Sequence, residues 1–192
     1  MAYFKDCKNL SSLDLRNTNV SDAGLGHFKE CKKLTALQLY GPQVSDTGLA
    51  HFKNCKNLTY LDLSATKVSD AGLAHLKDCA NLTHLNLSNT QVTDAGLAHL
   101  QDCTKLTMVW LNNTKISDAS TAHFKKCKQL VELNLEGTEI GDASADNLVG
   151  LTTLRVLSLK KTKFTAAGIA KLKAALPECK IEWDGSPNEP KK

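Results

Sequence analysis

The chain has 192 residues, 42% of them hydrophobic and 23% charged, with a formal net charge of +4, so it holds enough apolar material for one continuous core. Mild charge and an aromatic content of only 5% argue against a nucleic-acid groove or a base-stacking platform. No apolar run nears the roughly 20 residues of a membrane-spanning helix, and the opening MAYFKDC is not a signal peptide.

At the N-terminus, Phe4, Lys5 and Cys7 stand 24 positions before Phe28, Lys29 and Cys31. The chain is therefore expected to begin inside the helix of an earlier repeat, as if cut from a longer protein. An uncapped first strand edge is expected to allow weak self-association.

From Leu10 onward one unit is written about seven times. Leu10, Leu34, Leu58, Leu82, Leu106, Leu130 and Leu154 open the copies at a constant spacing of 24. Behind them come an apolar row (Leu13, Leu37, Leu61, Leu85, Val109, Leu133, Leu157) and a second row two residues on, Leu15 to Leu159. Such self-similarity marks a solenoid, in which each unit buries its apolar face against its neighbours.

Within a unit the apolar period changes from 2 to helical spacing. In the third copy, Leu61 and Leu63 point inward from a short strand and Asp62 outward. Thr66, repeated as Thr18, Thr90, Thr114, Thr138 and Thr162, is expected to bond backbone of adjacent turns; Gly41-Pro42 breaks that row. Ser69 reads as a helix N-cap, and Asp70 places a carboxylate where the helix dipole favours it. Leu73, Leu76 and Cys79 predict a helix packed by one face on the strand layer. Gly72 and its counterparts Gly24, Gly48, Gly96 and Gly168 are expected to let backbone approach closely, whereas Ser120 and Ser144 push their helices outward.

At the far end, Pro177 stops the last helix, and Lys180 to Trp183 keep the strand phase with Ile181 and Trp183 inward. Residues 1–183 thus form one repeat domain, and 184–192, with two Pro and one Gly, are expected to be a disordered tail.

The pattern LxxLxLxxT resembles the leucine-rich repeat family. The helix segment, with Cys three residues before the next opening Leu, is similar to the cysteine-containing subclass found in F-box proteins and bacterial relatives. The closing ALPECKIEW looks like the terminus of leucine-rich proteins from planctomycete-type bacteria. The resemblance implies an α/β horseshoe, with a parallel sheet on the concave face and helices on the convex face. It also leaves open that the chain is the recognition part of a larger enzyme or ubiquitin-ligase adaptor.

Several recurring residues imitate chemistry. Cys7, Cys31, Cys55, Cys79, Cys103 and Cys127 keep one phase, and helix spacing of about 8 to 10 Å exceeds the roughly 7 Å that a disulfide allows. They are expected to be buried thiols of a reducing, cytoplasmic compartment, with Cys179 an exposed thiol outside the phase. His27, His51, His75, His99 and His123 are too far apart for a metal; each is expected to bond the neighbouring repeat and to make folding acid-sensitive. Sequons at Asn9, Asn57, Asn81, Asn86 and Asn112 follow from the repeat itself. No unique acid–base or nucleophile constellation stands out, so no catalytic residue, metal or cofactor is assigned.

The copies differ mainly at the outward strand positions. Tyr40, Tyr60, His84, Met108 and Trp110 gather in the middle of that face, beside Asp62, Asn86 and Asn134. Exposed Tyr, Trp and Met among polar residues have the composition of an interaction hot spot, on a face roughly 34 Å long. The expected function is non-catalytic binding of a protein or peptide on the concave face, with no nucleic acid or membrane as partner. A purely structural or self-associating repeat is the alternative, in which the outward aromatics are dispensable.

Overall fold

The computed structural model describes residues 7–185; the predicted N-terminal phase residues Phe4 and Lys5, and 186–192 of the predicted tail, lie outside it. Each LxL segment forms a three-residue strand: β1 (Ser12–Asp14), β2 (Ala36–Gln38), β3 (Tyr60–Asp62), β4 (His84–Asn86), β5 (Met108–Trp110), β6 (Glu132–Asn134) and β7 (Val156–Ser158). An eighth, β8 (Lys180–Glu182), ends the series as the phase of Ile181 predicts. All pair in parallel, in sequence order, as one eight-stranded sheet. Every register joins residues 24 apart, for example Leu61 to Leu85. A slip of one residue would turn the whole leucine row to solvent, so the apolar pattern sets the pairing.

The core is a stack of leucine ladders between sheet and helices. Leu37, Leu39, Leu61, Leu63, Leu73 and Leu76 are fully buried, as are their counterparts along most of the solenoid. A cavity of about 20 Å³ remains under Leu97, Leu100 and Phe124, room for about one water rather than a ligand.

The helical segments are shorter than the spacing of Leu73, Leu76 and Cys79 predicts. They are α1 (Asp22–Leu25), α2 (Asp46–Leu49), α3 (Asp70–Ala74), α4 (Asp94–Ala98), α5 (Thr121–Phe124) and α6 (Ala145–Leu148); among the described residues only α7 (Ala166–Ala175) exceeds two turns. Gly26–Phe28 and Ala50–Phe52 tighten into 3₁₀ turns after α1 and α2. With only 24 residues per circuit, the chain must turn back to the next strand within about two turns of helix, and 3₁₀ bonding satisfies the short ends.

The repeated aspartate does more than meet the helix dipole. Asp46 Oδ1 accepts the backbone N–H of Ser69 at 2.8 Å, and Oδ2 accepts the Ser69 hydroxyl at 2.6 Å. The same pair of bonds joins Asp22 to Ser45, Asp70 to Thr93, Asp94 to Ser117 and Asp142 to Thr165. Asp118 keeps only the backbone bond, at 2.7 Å, because Gly141 has no hydroxyl. Each carboxylate therefore fastens the helix start of the following repeat.

This ladder corrects the expected role of the glycines. A Cβ at Gly72 would collide with the Asp46 Oδ1 atom and meet Val68 Cγ1 at 3.0 Å, so glycine makes room for a side chain rather than for backbone. Where Ser120 and Ser144 replace it, the first turn becomes 3₁₀ helix, Asp118–Ser120 and Asp142–Ser144, and each hydroxyl bonds the carbonyl three residues back.

Three other rows are resolved by contact. The Thr66 hydroxyl donates to the Leu63 carbonyl of its own turn at 2.7 Å, not to an adjacent turn, and Thr18, Thr90, Thr114, Thr138 and Thr162 repeat this. Cys55, Cys79, Cys103 and Cys127 are buried, and each thiol donates to the carbonyl of the cysteine one repeat earlier. Burial pushes the thiols of Cys55, Cys79 and Cys127 up to about 11 and that of Cys103 up to about 12. Cys179, predicted to be exposed, is half-buried against the core, and burial raises its thiol too.

The histidine row departs from expectation. His27, His75 and His99 are exposed, and among the described residues none of the five rings hydrogen-bonds a neighbouring repeat. The His51 ring instead lies beside Gly26. The acid sensitivity inferred from those bonds loses its basis.

Candidate functional site

Because the strands alternate, one face of the sheet is committed to the leucine core and the other carries the residues that vary between copies. Register fixes their neighbours. One row runs Tyr60, His84, Met108, Glu132 across β3 to β6, and the next runs Asp62, Asn86, Trp110, Asn134.

The structure brings two parts of the predicted site into direct contact. The Tyr60 and His84 rings stack with centroids 5.5 Å apart and planes inclined by 25°. The His84 Nδ1 atom lies 2.9 Å from the Thr83 hydroxyl, which orients the ring. Trp110 Nε1 donates to Glu132 Oε1 at 2.7 Å, so the indole is tied across to β6. Met108 lies between the two groups in the same row, and all four apolar or aromatic side chains are half-buried.

Tyr40 is not part of the stack. It is 46% exposed and follows β2, in the row of Ser64 and Ser88. The ring contact of this face is the Tyr60–His84 pair.

Asp62, Asn86 and Asn134 have a second occupation. Asp62 Oδ1 accepts the Ser64 N–H at 2.9 Å, and Asn86 and Asn134 accept the N–H of Ser88 and Glu136 at 3.0 Å each. These are Asx turns that end the strands, which explains Asp or Asn at this position in four of the seven copies. Trp110 replaces that residue in β5, so its side chain is free of the turn.

Sequence reasoning missed Glu132, whose partnership with Trp110 spans 22 residues. It also missed the threonine ladder at the edge of the face: Thr35, Thr59, Thr83 and Thr107 each donate to the carbonyl at the same position one repeat earlier. The recurrence of LT before β2 to β5 is the signal that carried it. At the N-terminal end, Asp14 is ion-paired with Arg16 at 2.8 Å, and those hydrogen bonds hold its carboxyl below the usual range. Among the described residues no group of three His, Cys, Asp or Glu is placed to hold a metal, and no helix is long and apolar enough to cross a membrane.

Two family models match: a BspA type leucine-rich repeat region over residues 1–90, and leucine-rich repeats in two copies over residues 80–126. No curated protein matches the chain in sequence. Among solved structures, an internalin, InlF, from Listeria monocytogenes is 20% identical with a TM-score of 0.71, over 97% of this chain and 60% of its own. Internalin C2 from the same organism is 21% identical with a TM-score of 0.74, over 94% and 74%. A leucine-rich repeat protein of Leptospira interrogans is 16% identical with a TM-score of 0.69, over 95% and 51%. The chain therefore spans about three fifths of InlF and half of the Leptospira protein. The 24-residue register, the eight-stranded parallel sheet and the matching repeat models together place the chain in the leucine-rich repeat family.

Proposed function

We propose that the chain is a non-catalytic interaction module that binds a protein or peptide on the outward, concave face of its sheet. The observation that carries this is the contiguous half-buried patch formed by the Tyr60–His84 stack, Met108 and the tethered Trp110. Large amphipathic side chains held in place lose little entropy on binding, and they supply most of the energy of typical interfaces. The fold is one typical of protein–protein interaction modules. The absence of catalysis is supported by how the repeated side chains are used: Asp, Ser and Cys bond the next or previous turn, and the Thr66 row bonds its own. The site residues proposed are Tyr60, His84, Met108 and Trp110 at the centre, with Tyr40, Asp62, Asn86 and Asn134 around them.

The test is capture from source lysate by the wild-type chain and by a Tyr60→Ala/Trp110→Ala double variant with the same circular-dichroism spectrum. A partner retained by the first and lost by the second supports the reading; capture of the same proteins by both refutes it.

A further inference from the structure

The charge on the outward face is distributed against the charge of the whole molecule. Across β3 to β6 its rows hold three carboxylates, Asp62, Glu132 and Glu136, and no lysine or arginine, although the chain carries +4 overall. Glu136 is neutralised by Lys161 at 2.9 Å. Asp62 and Glu132 form no direct ion pair among the described residues, and Arg16 acts on Asp62 only through space while bonded to Asp14.

Asp62 is only 6% exposed, yet a single hydrogen bond reaches it, from Ser64 to Oδ1, and Oδ2 is uncommitted. The nearest arginine on the same face, Arg16, donates to both Asp14 oxygens, at 3.0 and 2.8 Å. The second Asp62 oxygen is no buried orphan and opens to the face, where a carboxylate with spare acceptor capacity attracts an approaching cation. Glu132 uses Oε1 for the Trp110 indole and leaves Oε2 open. A cation reaching Glu132 also meets the Trp110 ring, and such contacts strengthen when desolvated.

The spacing of the two acids selects the ligand. They are three strands apart and one outward row out of line, which at about 4.8 Å per strand and 6.8 Å per two residues gives a diagonal of roughly 16 Å. In an extended segment, residues i and i+4 are about 13 Å apart and face the same side, with i+2 between them. Lysine and arginine stems cover the remaining few ångströms, and residue i+2 falls over Met108 and the Tyr60–His84 stack. We propose that this face receives an extended basic segment of a partner protein, with lysine or arginine at i and i+4 and an apolar side chain at i+2. The proposal rests on the concave-face reading and adds the sign and spacing of the partner's charges.

The test is fluorescence anisotropy with two labelled nonapeptides, one carrying Arg-Ser-Leu-Ser-Arg at its centre and one carrying Glu-Ser-Leu-Ser-Glu. The arginine peptide is expected to bind, several-fold more weakly in 0.5 M salt than at 0.05 M, while the glutamate peptide does not bind. Asp62→Asn and Glu132→Gln, which preserve shape, are each expected to weaken binding at least three-fold with an unchanged melting temperature. If Asp62→Asn disturbs the strand end, Glu132→Gln on the half-exposed face carries the comparison. No binding of the arginine peptide, equal binding of both, or indifference to both substitutions overturns the proposal. A partner lost by Tyr60→Ala/Trp110→Ala but kept by Asp62→Asn/Glu132→Gln would retain the concave surface and overturn only the basic segment.

Discussion

Replacing Gly72 by alanine should destabilise the protein, against the usual rule for that substitution. Glycine inside a helix ordinarily costs about 0.5 to 1 kcal/mol relative to alanine, and Gly72 lies within α3. Here the added Cβ would occupy the place of Asp46 Oδ1 and press on Val68 Cγ1. Overpacking of this kind costs about 1 to 3 kcal/mol. Displacing the carboxylate also weakens its bonds to the Ser69 N–H and hydroxyl, of a charged type worth about 1.5 to 3 kcal/mol. The turn relieves part of this by tightening to 3₁₀ helix, as at Ser120. A net loss of about 1 to 3 kcal/mol should remain, lowering Tm by roughly 2 to 12 °C for a chain of this size. Urea and thermal unfolding of Gly72→Ala, Asp46→Ala and the double variant give the decisive cycle, because removing the carboxylate makes room for the methyl group. The Gly72→Ala penalty should shrink by about 0.5 kcal/mol or more in the Asp46→Ala background. A Tm raised by Gly72→Ala, or additive effects, would refute the assigned contact.

Ala65 sits at φ +55, in the left-handed region that Asn17, Asn89 and Asn113 occupy in other repeats; Ala65→Asn should raise stability by up to about 1 kcal/mol, measured by urea unfolding. Thr83→Val removes a hydroxyl that donates to the Thr59 carbonyl and should cost about 1 kcal/mol in the same assay. The buried thiols of Cys55, Cys79, Cys103 and Cys127 stay protonated in the fold, to about 11 or 12, while an unfolded thiol ionises near 9.0. The unfolded state then binds fewer protons, so stability falls as pH rises above 9; thermal melts from pH 8 to 11 should show it, and a thiol reagent at pH 8 should label these cysteines only in denaturant. At the last strand, Lys160 and then Lys180 hold the Glu182 carboxyl down to about 2. Its contribution is present above 4.5 and lost as pH falls toward 2, so the protection of β8 amides, taken relative to the intrinsic exchange rate at each pH, should drop over that window, and not in Glu182→Gln.

The fold was legible because one residue type at one phase decides each feature. Leu13 to Leu157 and Leu15 to Leu159 define strand, inward face and register together, and Ile181 extends the same phase to β8. Ser69 was legible as an N-cap because capping is local, and its side chain accepts from the Ala71 N–H. Of the binding patch, the outward direction of Tyr60, His84, Met108 and Trp110 followed from alternation alone.

What the sequence could not decide are the bonds that cross from one repeat to the next. A conserved-phase Asp beside a helix start satisfies the dipole whether or not a neighbour stands behind it, so Asp46 gripping Ser69 is invisible until the turns are stacked. The same holds for Cys79 on the Cys55 carbonyl and for Trp110 on Glu132. Period and alternation determine which way each side chain points. Only the packing of successive turns, which brings residues 22 to 24 positions apart within hydrogen-bond distance, decides which of them act as mortar between repeats and which remain on the open face for a partner.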